Sequence, residues 1–283
     1  MELPISIGKF QFCLVGLNDK LTNEIRRHYC GFISDRGEGV NINLNITIED
    51  RKQNSVVVLE EVKFSDGFVH LETSDISGTF DMTRGEAHIS VIPQHIEGGI
   101  DYVLRFMLAL TAVQHRSLLL HAAGIIHDDY AYLFVGHSGV GKTTISRLSS
   151  GDTILSDDLV LIQDNWHETE VEVKCPITER PNRWWVYGTP FASERDIQPK
   201  NTNAPLRAIF HLQQDKRVFI SDMTQSQMVA ELVANLPVIN RNVSTAKMAM
   251  RLAENLTNTI QNRKLHFLPD ASFWYIIGES YRN

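Results

Sequence analysis

Cysteine is scarce in this sequence, and the three present, Cys13, Cys30 and Cys175, are odd in number, far apart and never arranged as C-x-x-C. That pattern argues against a disulfide framework or a zinc site and leaves them as ordinary buried thiols. Positive charge is in deficit as well: 27 Lys and Arg stand against 34 Asp and Glu, a formal net charge of -7. A large nucleic-acid footprint or an anionic membrane surface calls for clustered Lys and Arg, so neither partner is expected. Long apolar runs are missing too, because the most apolar stretch, Leu104 to Ile126, is broken by Gln114, His115 and Arg116. The start, Met1-Glu2-Leu3-Pro4, lacks the basic region of a secretion signal. The expectation is a soluble, cytoplasmic protein.

What the chain does have is 283 residues, 43% of them hydrophobic, enough for one large domain or two ordinary ones. It also has Gly136-His137-Ser138-Gly139-Val140-Gly141-Lys142-Thr143, which fits the phosphate-binding pattern G-x-x-x-x-G-K-[ST]. Tyr132 to Val135 ahead of it reads as a strand, and Thr144 to Leu148 after it as a helix, which is the context the motif requires. Glycines at 136, 139 and 141 let backbone N–H groups converge on a phosphate. Lys142 would reach the β- and γ-phosphates and Thr143 the Mg²⁺, so the nucleotide site is expected at Gly136 to Thr144.

Around the motif, residues 5 to 15 read as a strand and Asn18 to Tyr29 as a helix capped by Asn18. Alternation with turn residues from Val40 to Ile92, with strands at 40–46, 56–64, 68–71, 78–82 and 87–92, suggests an antiparallel meander. Asn41, Asn43 and Asn45 are its solvent face rather than a ligand array. Gly98-Gly99 punctuates the chain before a helix from about Ile100 to Gln114, so the expected division is a β-rich domain, 1–97, and a second domain, 98–283.

Strands follow at 118–126 and 130–135, joined by His127-Asp128-Asp129-Tyr130, which reads as a tight turn and not a metal cluster. Further strands are expected at 153–155, 159–162, 171–175, 208–212, 217–220, 264–268 and 273–277. Helices are expected from Thr224, which opens a capping box, through Leu236, and from a Ser244 cap to about Gln261. The short link from Gly136 to Asp152 suits a parallel crossover, and it places Asp157 and Asp158 at a strand end beside the loop.

Taken together, Leu120-His121-Ala122-Ala123-Gly124, the loop from Gly136, and Leu155-Ser156-Asp157-Asp158-Leu159-Val160 resemble HPr kinase/phosphorylase and its phosphoenolpyruvate carboxykinase-type fold relatives. Val186-Tyr187-Gly188-Thr189-Pro190-Phe191 and Ala204-Pro205-Leu206-Arg207-Ala208-Ile209-Phe210 are similar to the smaller HPr-kinase-like proteins of peptide-modification clusters, such as lasso-peptide precursor kinases. The likeness covers roughly residues 100–240. Thr143 stands where that family usually has Ser, which keeps the Mg²⁺-binding hydroxyl, and the downstream E-x-R-G-x-x-x-x-D segment has no counterpart.

The resemblance implies an α/β protein: a β-rich N-terminal domain, then an HPr-kinase-like P-loop domain with a mixed sheet. It implies transfer of the γ-phosphate of ATP, with Mg²⁺, to a hydroxyl, favouring a serine of a protein or precursor peptide. The implied roles are Asp157 as acceptor of the hydroxyl proton, Asp158 with Thr143 on the metal, and His121 as a catalytic partner. Arg180, Arg183 and Arg207 are candidates to clamp transition-state charge, and Trp184-Trp185 is expected to pack in the core. The N-terminal domain would recruit the acceptor along a sheet edge. A nucleotide-binding or peptide-binding module without transfer, and a small-molecule kinase acting on an amino acid or sugar, stay open. So do the acceptor, the base preference, reverse phosphorylase activity, the division of labour between the two Asp, and homo-oligomerisation.

Overall fold

The computed structural model describes residues 2–35, 37–48, 60–165, 183–194, 196–238 and 241–281. The chain is mixed α/β and divides into two compact units, Met1–Thr111 and Ala112–Asn283.

In the first unit β1 (Glu2–Ile7) and β2 (Phe10–Val15) pair antiparallel. The single strand expected over 5–15 is thus a hairpin, turned at Gly8, whose φ of 56° suits a residue without Cβ. Helix α1 (Asp19–His28) follows, capped as expected by Asn18, whose side chain accepts from Leu21 N–H at 3.0 Å. With β3 (Val40–Ile48), β4 (Glu61–Ser65), β5 (Phe68–Glu72), β6 (Ile76–Asp81) and β7 (Glu86–Val91) the strands form one sheet in the order β1-β2-β3-β7-β6-β5-β4. Residues 56–59 of the expected 56–64 strand lie outside the described residues.

The expected meander holds for β4 to β7 but not for β3, which runs parallel to both β2 and β7. Alternation fixes which face of β3 is buried, and any neighbour that shares the apolar face satisfies it. Ile42, Leu44 and Ile46 are buried and Asn41, Asn43 and Asn45 face outward, as expected. Cys13 is buried, but Cys30 is exposed, contrary to expectation, and Cys175 lies outside the described residues.

Helix α2 (Ile96–Gln114) starts earlier than expected and takes in Gly98 and Gly99. A Cβ on Gly99 would meet Val91 Cγ1 at 2.7 Å, so this glycine serves close packing and does not end an element. The helix therefore begins packed on the sheet of the first unit, and the division falls at Thr111 and Ala112, inside α2, rather than after residue 97. Among the described residues no helix is long and apolar enough to cross a membrane.

The second unit contains β8 (Ser117–His127), β9 (Tyr130–Val135), α3 (Lys142–Leu148), β10 (Thr153–Ser156), β11 (Leu159–Asp164), β12 (Trp184–Tyr187), β13 (Asn203–Gln214), β14 (Phe219–Asp222), α4 (Gln225–Ala234), α5 (Val243–Thr259), β15 (Gln261–Phe267) and α6 (Ser272–Glu279). Pairings run from β8 to β11, β12, β13, β9 and back to β8, closing a ring of strands. β10 pairs antiparallel with β8, and β14 pairs with β15 beside β13. β9 is apolar on both sides because both faces are covered. Leu133 and Val135 join the core under α4 and α5, while Tyr132 and Phe134 join the one beneath α3 and α6.

Two expectations fail here. Residues 273–277 form a helix, not a closing strand: Asp270 Oδ1 accepts from Ser272 N–H at 2.9 Å at its start, and the buried Phe273 and Ile277 are one helical turn apart. The cap of α5 is Asn242, whose side chain accepts from Thr245 N–H at 3.1 Å, rather than Ser244. The Thr224 to Gln227 capping box is present. The strand expected at 171–175 lies outside the described residues.

Asp164 closes β11 with a side chain out of contact with solvent, and it holds the two arginines flanking its strand neighbours. Arg183 Nε and Nη2 donate to it at 2.8 Å each, and Arg116 Nη2 at 2.5 Å. Burial alone would raise this carboxyl; the Arg183 and Arg116 hydrogen bonds outweigh it and hold the group below its usual range. The pair stabilises the fold above the ordinary carboxylate pKa, and that stability is lost as pH falls through the lowered folded value. Arg183→Ala is expected to cost about 2–4 kcal/mol in denaturant unfolding and to weaken the acid sensitivity. An unchanged midpoint and acid limb would show that the pair carries no stability.

Candidate phosphate-binding and acid–base site

β9 ends at Val135 and the chain enters the glycine loop. Gly136, Gly139 and Gly141 have φ of 150°, 79° and 121°, so the loop turns through backbone shapes that suit glycine. A Cβ on Gly141 would also meet the Phe267 ring at 2.6 Å. Val140 is buried, Gln214 Nε2 donates to its carbonyl at 3.1 Å, and His137, Ser138 and Gly139 are left exposed at the tip. α3 starts at Lys142, with Thr143 and Thr144 half-buried in its first turn.

Lys142 is only 7% exposed. Its ammonium donates to the Gly136 carbonyl at 2.8 Å and the His137 carbonyl at 3.3 Å, so the cation is held at the base of the loop. Burial pushes its pKa down, and the nearby carboxylates of Asp158 and Asp157 oppose that shift.

The two aspartates fill the break between β10 and β11, which follow one another along the same strand, β8. Both β9 and β10 pair antiparallel to β8, so the crossover through α3 joins mutually parallel strands with β8 as the strand both contact. Asp157 is 1% exposed and its Oδ2 accepts from Thr143 Oγ1 at 3.1 Å. Asp158 has a different partner: its Oδ1 lies 3.2 Å from Nε2 of His121, the residue opposite Leu159 in the β8–β11 ladder. The His121 side chain is 40% exposed and that of Asp158 17%.

The other candidates go elsewhere. Arg183 is engaged by Asp164. Arg207 lies 5.0 Å over the Tyr130 ring and 4.9 Å over Tyr281, near the start of β9 and not its phosphate end. Arg180 lies outside the described residues. Trp184 is buried as expected, its Nε1 donating to Thr259 Oγ1 at 2.8 Å. Asp128 and Asp129, at φ 48° and 66°, form the tight turn, and His127 bonds Asp152 at 2.8 Å.

Residues the motifs did not single out complete the site. Ser156 Oγ, fully buried, donates to Phe191 O at 2.5 Å and accepts from Asp158 N–H at 3.1 Å and Leu159 N–H at 3.2 Å. Thr189 Oγ1 donates to Leu159 O at 2.5 Å, and a Cβ on Gly188 would lie 1.9 Å from Lys200 O. These contacts dock residues 188–193 on the aspartates, and Ser193 bonds Asp157 through both its N–H and its hydroxyl. The stretch from Val186 to Phe191 was the available signal in the sequence, though its pattern stops short of Ser193.

His211 on β13 was missed as well. It sits beside Val135 in the ladder with Nδ1 3.6 Å from Glu231, and burial, with help from Lys264 and His137, pushes its pKa down against the pull of Glu231. Among the described residues no group of three His, Cys, Asp or Glu could hold a metal ion. The oxygen donors around Thr143 and Asp157 are hard, which suits Mg²⁺ sharing its shell with phosphates and water. No protein-family model matches the sequence, and no curated protein shows significant similarity to it.

Proposed function

We propose that this chain is an HPr-kinase-like phosphotransferase that uses Mg-ATP to phosphorylate a hydroxyl, with serine of a protein or peptide as the favoured acceptor. The observation that carries this reading is the convergence, where β9 and β10 end beside β8, of the glycine loop, Lys142, a Thr143–Asp157 contact and a separate His121–Asp158 pair. A site that only bound nucleotide has no use for a second acid–base pair beside the Thr143–Asp157 contact.

Phosphoryl transfer needs the phosphates held, their charge neutralised and an acceptor hydroxyl aligned. Loop amides and Lys142 hold the phosphates. Thr143 and Asp157 would hold Mg²⁺, which when bound neutralises phosphate charge. Asp158 takes the acceptor hydroxyl proton at a carboxylate oxygen, and His121 Nε2 orients that carboxylate. This exchanges the roles that the resemblance implies for the two aspartates, because Asp157 is the buried one joined to Thr143 and Asp158 the half-buried one joined to His121.

The test incubates the full chain and Mg-ATP labelled in the γ-phosphate with serine peptides, free amino acids and sugars. Label on a peptide serine supports the proposal; label on an amino acid or sugar makes it a small-molecule kinase; nucleotide binding with no transfer leaves a binding module. The first unit is proposed to recruit the acceptor through β4, which is an edge strand of its sheet among the described residues. Acceptor addition should then slow hydrogen exchange at Glu61–Ser65, and protection confined to the second unit would sink the recruitment idea.

A further inference from the structure

Ser193 belongs to no motif, yet its hydrogen bonds are informative when each hydrogen is counted. A serine or threonine hydroxyl has one hydrogen to give. Thr143 Oγ1 gives its hydrogen to Asp157 Oδ2 at 3.1 Å, and Ser193 Oγ donates to the same oxygen. Ser193 is fixed from the backbone too, its N–H donating to Asp157 Oδ1 at 3.0 Å. The two hydroxyl oxygens stand 3.2 Å apart, where either could donate to the other, so two hydrogens are shared among three contacts. A cation bound to both hydroxyl oxygens would send both hydrogens to Asp157.

We propose that Ser193 is, with Thr143, a second hydroxyl ligand of the magnesium ion that accompanies the nucleotide, and that Asp157 orients both hydroxyls by taking their hydrogens. The 3.2 Å separation fits neighbouring corners of an octahedron, which for metal–oxygen bonds of about 2.0–2.1 Å lie about 3 Å apart. The segment that delivers Ser193 is built for fixed placement, through Gly188 against Lys200 O, Thr189 on Leu159 O and Ser156 on Phe191 O. Arg147 on α3 adds a second tie, donating to Asp196 at 3.0 and 3.2 Å. Metal binding thus couples residues 188–193 to the glycine loop, and a metal–nucleotide complex tightens that segment where metal-free nucleotide does not. The inference rests on the nucleotide-site reading above.

The experiment titrates ADP into wild type, Ser193→Ala and Ser193→Cys by calorimetry with Mg²⁺, with Cd²⁺ and with EDTA. Ser193→Ala is expected to weaken Mg²⁺-dependent ADP binding about tenfold while leaving binding in EDTA unchanged. Ser193→Cys should bind ADP poorly with Mg²⁺ and regain affinity with Cd²⁺, because a thiol prefers the softer ion. The preference switch is a readout that a merely structural serine would not move, and matching thermal midpoints for the three proteins confirm folding. Equal losses with and without metal, or no Cd²⁺ preference in the Cys variant, overturn the proposal. So does phosphate recovered on Ser193 after incubation with Mg-ATP, since that makes the hydroxyl an acceptor rather than a ligand. Absence of ADP binding to wild type under every condition overturns the nucleotide-site reading itself, and the Ser193 proposal with it.

Discussion

Replacing Lys142 by Ala should abolish detectable Mg-ATP binding. The ammonium is buried at the base of the loop on the Gly136 and His137 carbonyls, 2.8 and 3.3 Å away, and it is the one lysine of the motif. Bound phosphate oxygens would replace those neutral acceptors with charged ones, and each charge-assisted bond contributes about 1.5–3 kcal/mol. Loss of two such bonds corresponds to a fall in affinity on the order of 10² or more. Wild type at ligand concentrations about a hundredfold above Kd should gain about 2.7 kcal/mol of stability, readable as a thermal shift that the variant lacks. Lys142→Met, which keeps the aliphatic stem packed, separates loss of the charge from loss of the packing. Absence of Mg²⁺-dependent stabilisation of wild type by ATP, ADP or GTP would sink the nucleotide site altogether.

The second large effect is expected at Asp158. Asp158→Asn keeps the size of the side chain but removes the proposed base, so turnover should fall on the order of 10² or more. Nucleotide affinity should stay within a few-fold, because Thr143 and Asp157 keep their contact at 3.1 Å. His121→Gln should lower turnover in the same direction by less, since it removes the group that orients the carboxylate. Asp157→Asn should instead raise the Mg²⁺ concentration needed for half-maximal rate, with turnover recovering as Mg²⁺ is raised. The order implied by the resemblance gives the opposite pattern: Asp157→Asn inactive at any Mg²⁺ and Asp158→Asn rescued by metal. Single-turnover transfer measured across a Mg²⁺ titration distinguishes the two, and unchanged turnover in both variants would remove the pair from the chemistry.

Much of the site was legible because its information is local. A glycine loop is a backbone shape, and the glycines that permit it at 136, 139 and 141, with the strand before and the helix after, lie within some seventeen residues of sequence, from 132 to 148. Caps at Asn18 and Thr224 were readable for the same reason, since a cap bonds an amide three residues away. The strand ahead of the loop was readable from its short apolar run, Tyr132 to Val135.

Only the tertiary structure decided how those pieces meet. Alternation determined the buried face of β3 but not its parallel partners, and the spacing of Phe273 and Ile277 suited a helix as well as part of an apolar strand. Arg183 looked available for phosphate until Asp164, in another strand, was seen to engage it. Asp157 and Asp158 are adjacent in sequence and chemically identical, so nothing in the chain itself distinguishes them. Their environments do: at the break between β10 and β11 one carboxylate turns inward to Thr143 and Ser193, and the next turns toward His121. Side-chain chemistry is written in the sequence, but a role in proton transfer or metal binding depends on which partner is within about 3 Å, and those partners come from strands and loops tens of residues away.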